Sequence, residues 1–118
     1  MITDPIVTRD QIRKINEAYG GSLRTDAEIE TALALGRGKG IFRKIAVLWR
    51  AILVGHPFTD GNKRTALMVA ITILEKCEIK LDGKNKENMV SEITNIAREN
   101  ITDINRIERL VRYAATGN

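Results

Sequence analysis

Residues 55–68 read GHPFTDGNKRTALM, and they place several chemically active side chains within ten positions. His56, the only histidine of the chain, is followed four residues later by the carboxylate of Asp60. An imidazole with an ordinary pKa near ~6.5 can act as a general base toward a hydroxyl group. A carboxylate beside a polyphosphate is a suitable magnesium ligand. The spacing therefore predicts a base and a metal ligand on one loop.

Residues 61–64, which follow Asp60, predict a helix N-terminus that binds an anion. We expect a helix to open at Asn62, where free N–H groups and the helix dipole favour a phosphate group. Gly61 lets the backbone approach a ligand closely. Asn62, Lys63 and Arg64 add donors and positive charge. Cations oppose the dipole at a helix N-terminus, so these residues are interpreted as phosphate-binding.

Each of these residues also has a purely structural interpretation. A histidine at a helix end is a common C-terminal cap, Asp60 and Arg64 could form an ion pair, and Asp-Gly-Asn is common turn chemistry. Phe58 is expected to point inward and anchor the loop. A Walker-type phosphate loop is excluded, because no GxxxxGK[ST] sequence occurs in the chain.

The first helices are indicated by capping patterns. Thr8 and Gln11 form a capping box, and Val7 and Ile12 are spaced as a hydrophobic staple. The residues Thr25-Asp-Ala-Glu28 predict a second capping box that opens a short helix. The glycines of GRGKG (36–40) then predict a break.

The remainder of the chain also predicts helices, so the expected fold class is all-α. Residues 41–54 and 65–77 are apolar almost all round, which indicates two central buried helices that flank the loop at 55–61. We expect a connector over 78–86, a helix over 88–100, and a final helix capped by Thr102.

Length and composition predict one globular domain over residues 1–118, with 43% hydrophobic and 29% charged residues. No apolar run approaches the ~20 residues of a membrane span. The N-terminal residues show no secretory signal, and Cys77 alone cannot form an internal disulfide. These features favour a cytoplasmic protein, with Cys77 as a small core residue.

The net charge of +4 permits an acidic partner. Direct nucleic-acid binding is not expected, because the basic residues are dispersed among acids and aromatic residues make up only 4% of the chain. A basic, solvated surface is the simpler interpretation.

The sequence HPFTDGNKR resembles the signature of the Fic/Doc superfamily, His-x-Phe-x-(Asp/Glu)-(Gly/Ala)-Asn-(Gly/Lys)-Arg, at every fixed position. The likeness extends over roughly residues 8–115. It includes IRKINEAYGGSLR (12–24) and the apolar helix after the motif, which are similar to the short death-on-curing (Doc) branch. The helical fold of that family agrees with the all-α expectation.

The resemblance implies a role for each matched residue. His56 would deprotonate a hydroxyl of a target protein, and Asp60 would hold Mg²⁺. Gly61, Asn62 and Arg64 would bind the phosphates of ATP, and Phe58 would be structural. The region 22–41 would supply a flap that positions the target segment.

Two positions separate the branches of the family. Adenylylating Fic enzymes have a glycine where this chain has Lys63, and an arginine where it has Leu67. Lys63 is shared with the Doc toxins, which transfer the γ-phosphoryl group of ATP to a threonine of translation elongation factor Tu and so block translation. The resemblance therefore implies phosphoryl transfer. Two alternatives are adenylylation (AMPylation) of the target protein and a non-catalytic function as a basic binding module.

The resemblance also implies a separate inhibitor. Many Fic proteins carry an inhibitory helix of pattern (Ser/Thr)-x-x-x-Glu-(Gly/Asn). Here Glu99-Asn100 is preceded by Asn95 at the first position, so the pattern is incomplete. Control by a cognate antitoxin is the expectation.

Overall fold

The computed structural model describes residues 6–118, and that range is all-helical. The helices are α1 (Arg9–Glu17), α2 (Ala27–Leu35), α3 (Ile41–Leu53), α4 (Asn62–Lys76), α5 (Gly83–Glu99) and α6 (Ile104–Thr116). In this range the only extended pairing is an isolated antiparallel bridge between Leu23 and Phe58. The prediction of an all-α fold is confirmed.

Helices α3 and α4 pack on each other at the centre of the core, as their apolar sequences predict. Helix α3 also contacts α2 and α6. The Trp49 side chain on α3 is fully buried, and its indole Nε1 donates to the Ala66 carbonyl of α4 at 2.9 Å. This bond joins the two helices that carry the 54–61 loop between them. Over residues 6–118, no helix combines the length and apolarity that crossing a membrane requires.

The N-terminus of α1 has the predicted capping box. Gln11 N donates to Thr8 Oγ1 at 3.2 Å, and Thr8 N donates to Gln11 Oε1 at 2.9 Å. Val7 and Ile12, the predicted staple residues, are both buried in the core. The cap and the staple together direct α1 onto the core.

The second predicted capping box is wrong. Helix α2 begins one residue later than the box requires, after Asp26, which adopts helical dihedral angles and forms no capping bond. The carboxylate of Asp26 instead accepts from Arg9 Nη1 at 2.9 Å. Among the described residues, Thr25, the predicted cap, accepts only from Ala27 N, at 3.4 Å, so the bond from Glu28 N that the box requires does not form.

The predicted boundaries around α5 and α6 are also wrong. The expected connector 78–86 is partly helical, because Asp82 and Asn85 form a capping box that starts α5 at Gly83. Helix α6 is capped by Asp103 rather than Thr102, since the Asp103 carboxylate accepts from Asn105 N at 3.0 Å. In both cases the cap is an aspartate, and its carboxylate accepts a hydrogen bond from a backbone N–H two or three residues later in the chain.

Cys77 follows α4 as its C-terminal cap and is half-buried against the core. Burial raises the pKa of its thiol, an effect that nearby Lys44 partly opposes. The higher pKa reduces the thiolate fraction at neutral pH, so the environment of Cys77 suits a packing residue.

Replacing Trp49 should test the link between α3 and α4. Trp49→Phe removes the indole donor and leaves a small cavity, so we expect the free energy of unfolding in urea to fall by about 1–3 kcal/mol. Tyr113→Phe, at a side chain that is 54% exposed, is the control and should change it by no more than about 0.5 kcal/mol. Equal effects of the two changes would contradict a specific role for the indole bond.

Candidate active site

The loop between α3 and α4 changes direction sharply on either side of the candidate residues. His56 is exposed and has a φ of 50°, and Gly61 has a φ of 73°. Positive φ is costly for a residue with a side chain but not for glycine. His56 lies three residues beyond the end of α3, whose C-cap is Val54, so it does not cap that helix. Its imidazole makes no hydrogen bond with any residue in 6–118.

A short antiparallel pairing holds the loop from outside. Thr59 N donates to the Ser22 carbonyl at 2.9 Å, and Arg24 N donates to the Pro57 carbonyl at 2.8 Å. The Arg24 guanidinium also donates to the His56 carbonyl at 2.7 Å. Residues 22–24 thereby fix the backbone that carries the candidate base.

Phe58 and Asn62 close the loop from within. Phe58 is fully buried, as a loop anchor would be. Asn62 Nδ2 donates to the Phe58 carbonyl at 3.0 Å, and Phe58 N donates to Asn62 Oδ1 at 3.3 Å. The Asn62 side chain therefore shapes the loop, and its backbone N–H stays available to a ligand.

The N-terminus of α4 is open and positively charged. Its cap, Gly61, offers no side-chain acceptor, and the N–H groups of Asn62, Lys63 and Arg64 have no acceptor among the described residues. The first turn contains no acidic residue, and the side chains of Lys63 and Arg64 are exposed. Within residues 6–118 no ion pair joins Arg64 to Asp60, so the ion-pair interpretation is wrong; Arg64 lies 5.9 Å from the Tyr19 ring centroid instead.

The candidate residues meet in one open cleft of about 470 Å³. Its lining residues are Tyr19, His56, Thr59, Asp60, Gly61, Asn62, Lys63 and Arg64. The cleft thus brings together an exposed imidazole, a carboxylate and the open start of a helix. Phe58 lies beneath it in the core, and Leu67 packs against the core away from it.

Among the residues that the structure describes, Asp60 provides the one carboxylate that lines the cleft. Its Oδ1 accepts from Gly61 N at 2.7 Å, which orients the side chain and leaves Oδ2 free. The described residues contain no group of three or more His, Cys, Asp or Glu side chains that could enclose a metal ion. The donor set fits Mg²⁺, which proteins often hold through one or two carboxylates together with the phosphates of a ligand.

Asn16 on α1 supports the site from behind, and the sequence analysis missed it. Its side chain is fully buried, and Nδ2 donates to the Asp60 carbonyl at 2.7 Å and to Thr65 Oγ1 at 3.0 Å. Its Oδ1 is buried without a hydrogen-bond partner. A buried amide costs free energy unless it is bonded, so its position indicates a role in holding Asp60. The available signal was an asparagine four residues after Ile12, on the apolar face of α1.

The region 22–41, which the resemblance assigns to a flap, contains little extended chain. Residues 22–24 pair with the loop, and most of the remainder forms α2. A flap role for this region therefore stays a prediction.

Gly21 tests how tightly Asn16 and Asp60 are packed. A Cβ atom at Gly21 would overlap with Asn16 Oδ1 and with the Asp60 carbonyl oxygen. Gly21→Ala should therefore lower the free energy of unfolding by about 1–3 kcal/mol and shift the amide NMR signals of Asp60 and Gly61. Gly83→Ala, where a Cβ meets no atom within 4 Å, is the control and should not destabilise the protein. Unchanged stability and unchanged signals for Gly21→Ala would show that this contact does not constrain the loop.

Comparison with known proteins identifies the family. The family model described as "Fic/DOC family" matches residues 6–74, more than half of the chain, and this range includes α1, α2, α3, the 54–61 loop and most of α4. Comparison with curated proteins and with solved structures gave no match. Proteins of this family are typically transferases that act on other proteins, and they generally use ATP with a metal ion. The match and the cleft geometry lead to one conclusion: the chain belongs to the Fic/DOC family.

Proposed function

We propose that this protein is a Doc-like toxin that transfers the γ-phosphoryl group of ATP to a hydroxyl of a target protein in the cytoplasm. The target we propose is translation elongation factor Tu, and the consequence is a block of translation. A cognate antitoxin would hold the activity in check. Family membership supports protein modification. The cleft supports binding of phosphates, and the target, the antitoxin and the toxin role rest on the resemblance to the Doc branch.

One observation carries the proposal: the cleft joins His56 and Asp60 to a helix N-terminus whose N–H donors have no acceptor, and whose cations have no ion-pair partner, among residues 6–118. Lys63 and Arg64 weaken the start of α4 unless an anion compensates them, since their charge opposes the helix dipole. A polyphosphate supplies that compensation and accepts hydrogen bonds from the backbone N–H groups of residues 62–64. The cleft therefore suits the phosphates of a nucleotide.

Each residue has a distinct task in the proposed reaction. His56, exposed at the rim, accepts the proton of the target hydroxyl. Asp60, whose carboxylate is oriented by the bond from Gly61 N, would hold Mg²⁺. Lys63 and Arg64 hold the phosphates together with the backbone N–H groups of residues 62–64, and Gly61, whose own N–H is bonded to Asp60, leaves room for them. The target oxygen would form a bond to the γ-phosphorus of bound ATP while the bond to the β–γ bridging oxygen breaks and ADP leaves. Catalysis would consist mainly of positioning and charge stabilisation.

Lys63 and Leu67 favour phosphoryl over nucleotidyl transfer. The Lys63 side chain lines the cleft where a glycine would leave room for a phosphate group. Leu67 packs against the core and has no donor for an anion, whereas adenylylating Fic enzymes have an arginine at this position. Lys63 therefore fills space, and Leu67 removes a contact, that the phosphates use during nucleotidyl transfer in the family.

Labelled ATP distinguishes the two reactions. Incubation with purified elongation factor Tu, Mg²⁺ and ATP labelled at the γ position should label the factor, and ATP labelled at the α position should not. His56→Ala should lower labelling by about 10²-fold or more, because the general base is lost. Lys84→Ala, at an exposed lysine on α5, is the control and should retain the activity. Label from the α position would instead establish adenylylation.

The role of Lys63 has its own test. If its side chain excludes nucleotidyl transfer, Lys63→Gly should gain incorporation of the α label into the target protein. The γ label incorporated by the same variant should fall, since one phosphate contact is lost. A variant that incorporates only γ label at the original rate would show that Lys63 does not determine which group is transferred.

Growth inhibition separates catalysis from a binding function. Expression of the protein without an antitoxin should arrest growth and translation, and His56→Ala should abolish both effects. The His56 side chain makes no hydrogen bond within residues 6–118, so its removal should leave the stability of the fold nearly unchanged. Full growth inhibition by a folded His56→Ala protein would support the alternative of a non-catalytic basic module.

A further inference from the structure

A surface groove runs along the outer side of α3, away from the core and beside the active-site loop. It consists of two adjoining hollows of about 350 and 500 Å³ that share Leu35, Val47 and Arg50. We call it the α3 groove. Helix α2 forms one wall, and the chain from Thr102 to Ile104 forms the other. At one end the groove reaches Gly55, the residue directly before His56.

The α3 groove offers apolar contact to a partner. Val47 on its floor is buried, whereas Leu35 on its wall is 49% exposed, one of the few large apolar side chains with such exposure among the described residues. From Arg43 to Val54 the groove follows α3 over eleven residue steps, which corresponds to about 16 Å. This length accommodates about five residues of an extended chain or three turns of a helix.

The charges around the groove are unevenly distributed. Lys39 and Arg43 line the hollow farther from His56, together with Arg50, which both hollows share. Among residues 6–118, no acidic side chain lines that hollow. Arg43 is paired with Glu108, whereas Lys39 and Arg50 form no ion pair within residues 6–118. Glu28 lies at the opposite end, against Gly55. The groove is therefore cationic at one end and carries a carboxylate beside the active-site loop.

We propose that the α3 groove binds a segment of the protein substrate that combines apolar with acidic side chains. This inference rests on the proposed function. The acidic residues of the segment lie against Lys39 and Arg50, its apolar residues cover Leu35, and its neutral or basic end passes Glu28 toward His56. Charge complementarity favours such a segment over a second copy of this protein. The second copy would also carry a net charge of +4, so the cationic surface of the groove would repel it.

This arrangement would separate recognition from chemistry. The hydroxyl that His56 deprotonates is small and common to many proteins, so contacts elsewhere must select the substrate. A segment held in the groove raises the local concentration of the attached hydroxyl at the cleft. The groove would thus contribute to KM for the protein substrate, and the cleft to kcat.

A peptide-binding experiment tests the groove without ATP and without the phosphoryl-transfer reaction. The probe is a short fluorescein-labelled peptide with leucines and glutamates at helical spacing, and its counterpart carries lysine for each glutamate. Fluorescence anisotropy should show binding of the acidic peptide only. Leu35→Glu should weaken that binding by about tenfold or more, and Lys39→Glu should weaken it severalfold.

The chain offers a matched control for each variant. Val90→Glu changes an apolar side chain that is also 49% exposed, but on α5 outside the groove. Lys84→Glu changes an exposed lysine of α5. Both should bind the acidic peptide as the wild type does. Equal losses in the groove variants and the controls would overturn the proposal.

A nitroxide on the peptide tests its direction. Placed at the neutral end it should broaden the NMR signals of His56, and placed at the acidic end it should broaden those of Lys39. The reverse pattern, or broadening of neither, would overturn the proposal even if the peptide binds. Because neither experiment uses the reaction, failure to label elongation factor Tu would bear on the proposed function alone.

Two other occupants give distinct results that would also overturn the proposal. If a second copy fills the groove, light scattering should detect a wild-type dimer that Leu35→Glu dissociates. If nucleic acid fills it, labelled duplex DNA should bind with a steep salt dependence, and Lys39→Glu should abolish that binding.

Discussion

The open N-terminus of α4 is the constraint on which the site depends. A helix start that binds an anion must leave its first N–H groups free, so no capping side chain can occupy them. Gly61 meets this condition because it has no side chain and adopts a φ of 73° at little cost. Without a cap, the preceding loop must be held by other parts of the protein.

The neighbouring elements provide that support through the backbone of the loop. Residues 22–24 pair with residues 57–59, Asn62 closes the turn from inside, and Asn16 bonds to the Asp60 carbonyl from α1. These contacts use carbonyl and amide groups of the loop, and they leave the His56 ring and one Asp60 oxygen free for chemistry. Beneath them, the packing of α3 on α4 and the Trp49 bond hold the two ends of the loop together.

The 54–61 loop borders two hollows of different character. The cleft at the start of α4 is polar and suits phosphate groups, whereas apolar side chains and cations line much of the α3 groove. His56 lines the cleft, and the groove ends at Gly55, the residue before it. In the two proposals, a nucleotide would occupy the cleft and a protein segment would occupy the groove.

The sequence by itself determined the all-α fold, the two buried helices, the cap at Thr8 and the residues of the 56–64 motif, because periodicity, capping and motif spacing are local properties. Local reasoning failed at Thr25, because α2 begins one residue later, after Asp26, whose carboxylate pairs with Arg9. It also failed at the starts of α5 and α6, where a nearby aspartate is the cap. Only the tertiary structure revealed the role of Asn16 and the course of the α3 groove. Both depend on residues that are far apart in the chain. The packing of the helices decides which of these side chains meet, and no local sequence pattern encodes that packing.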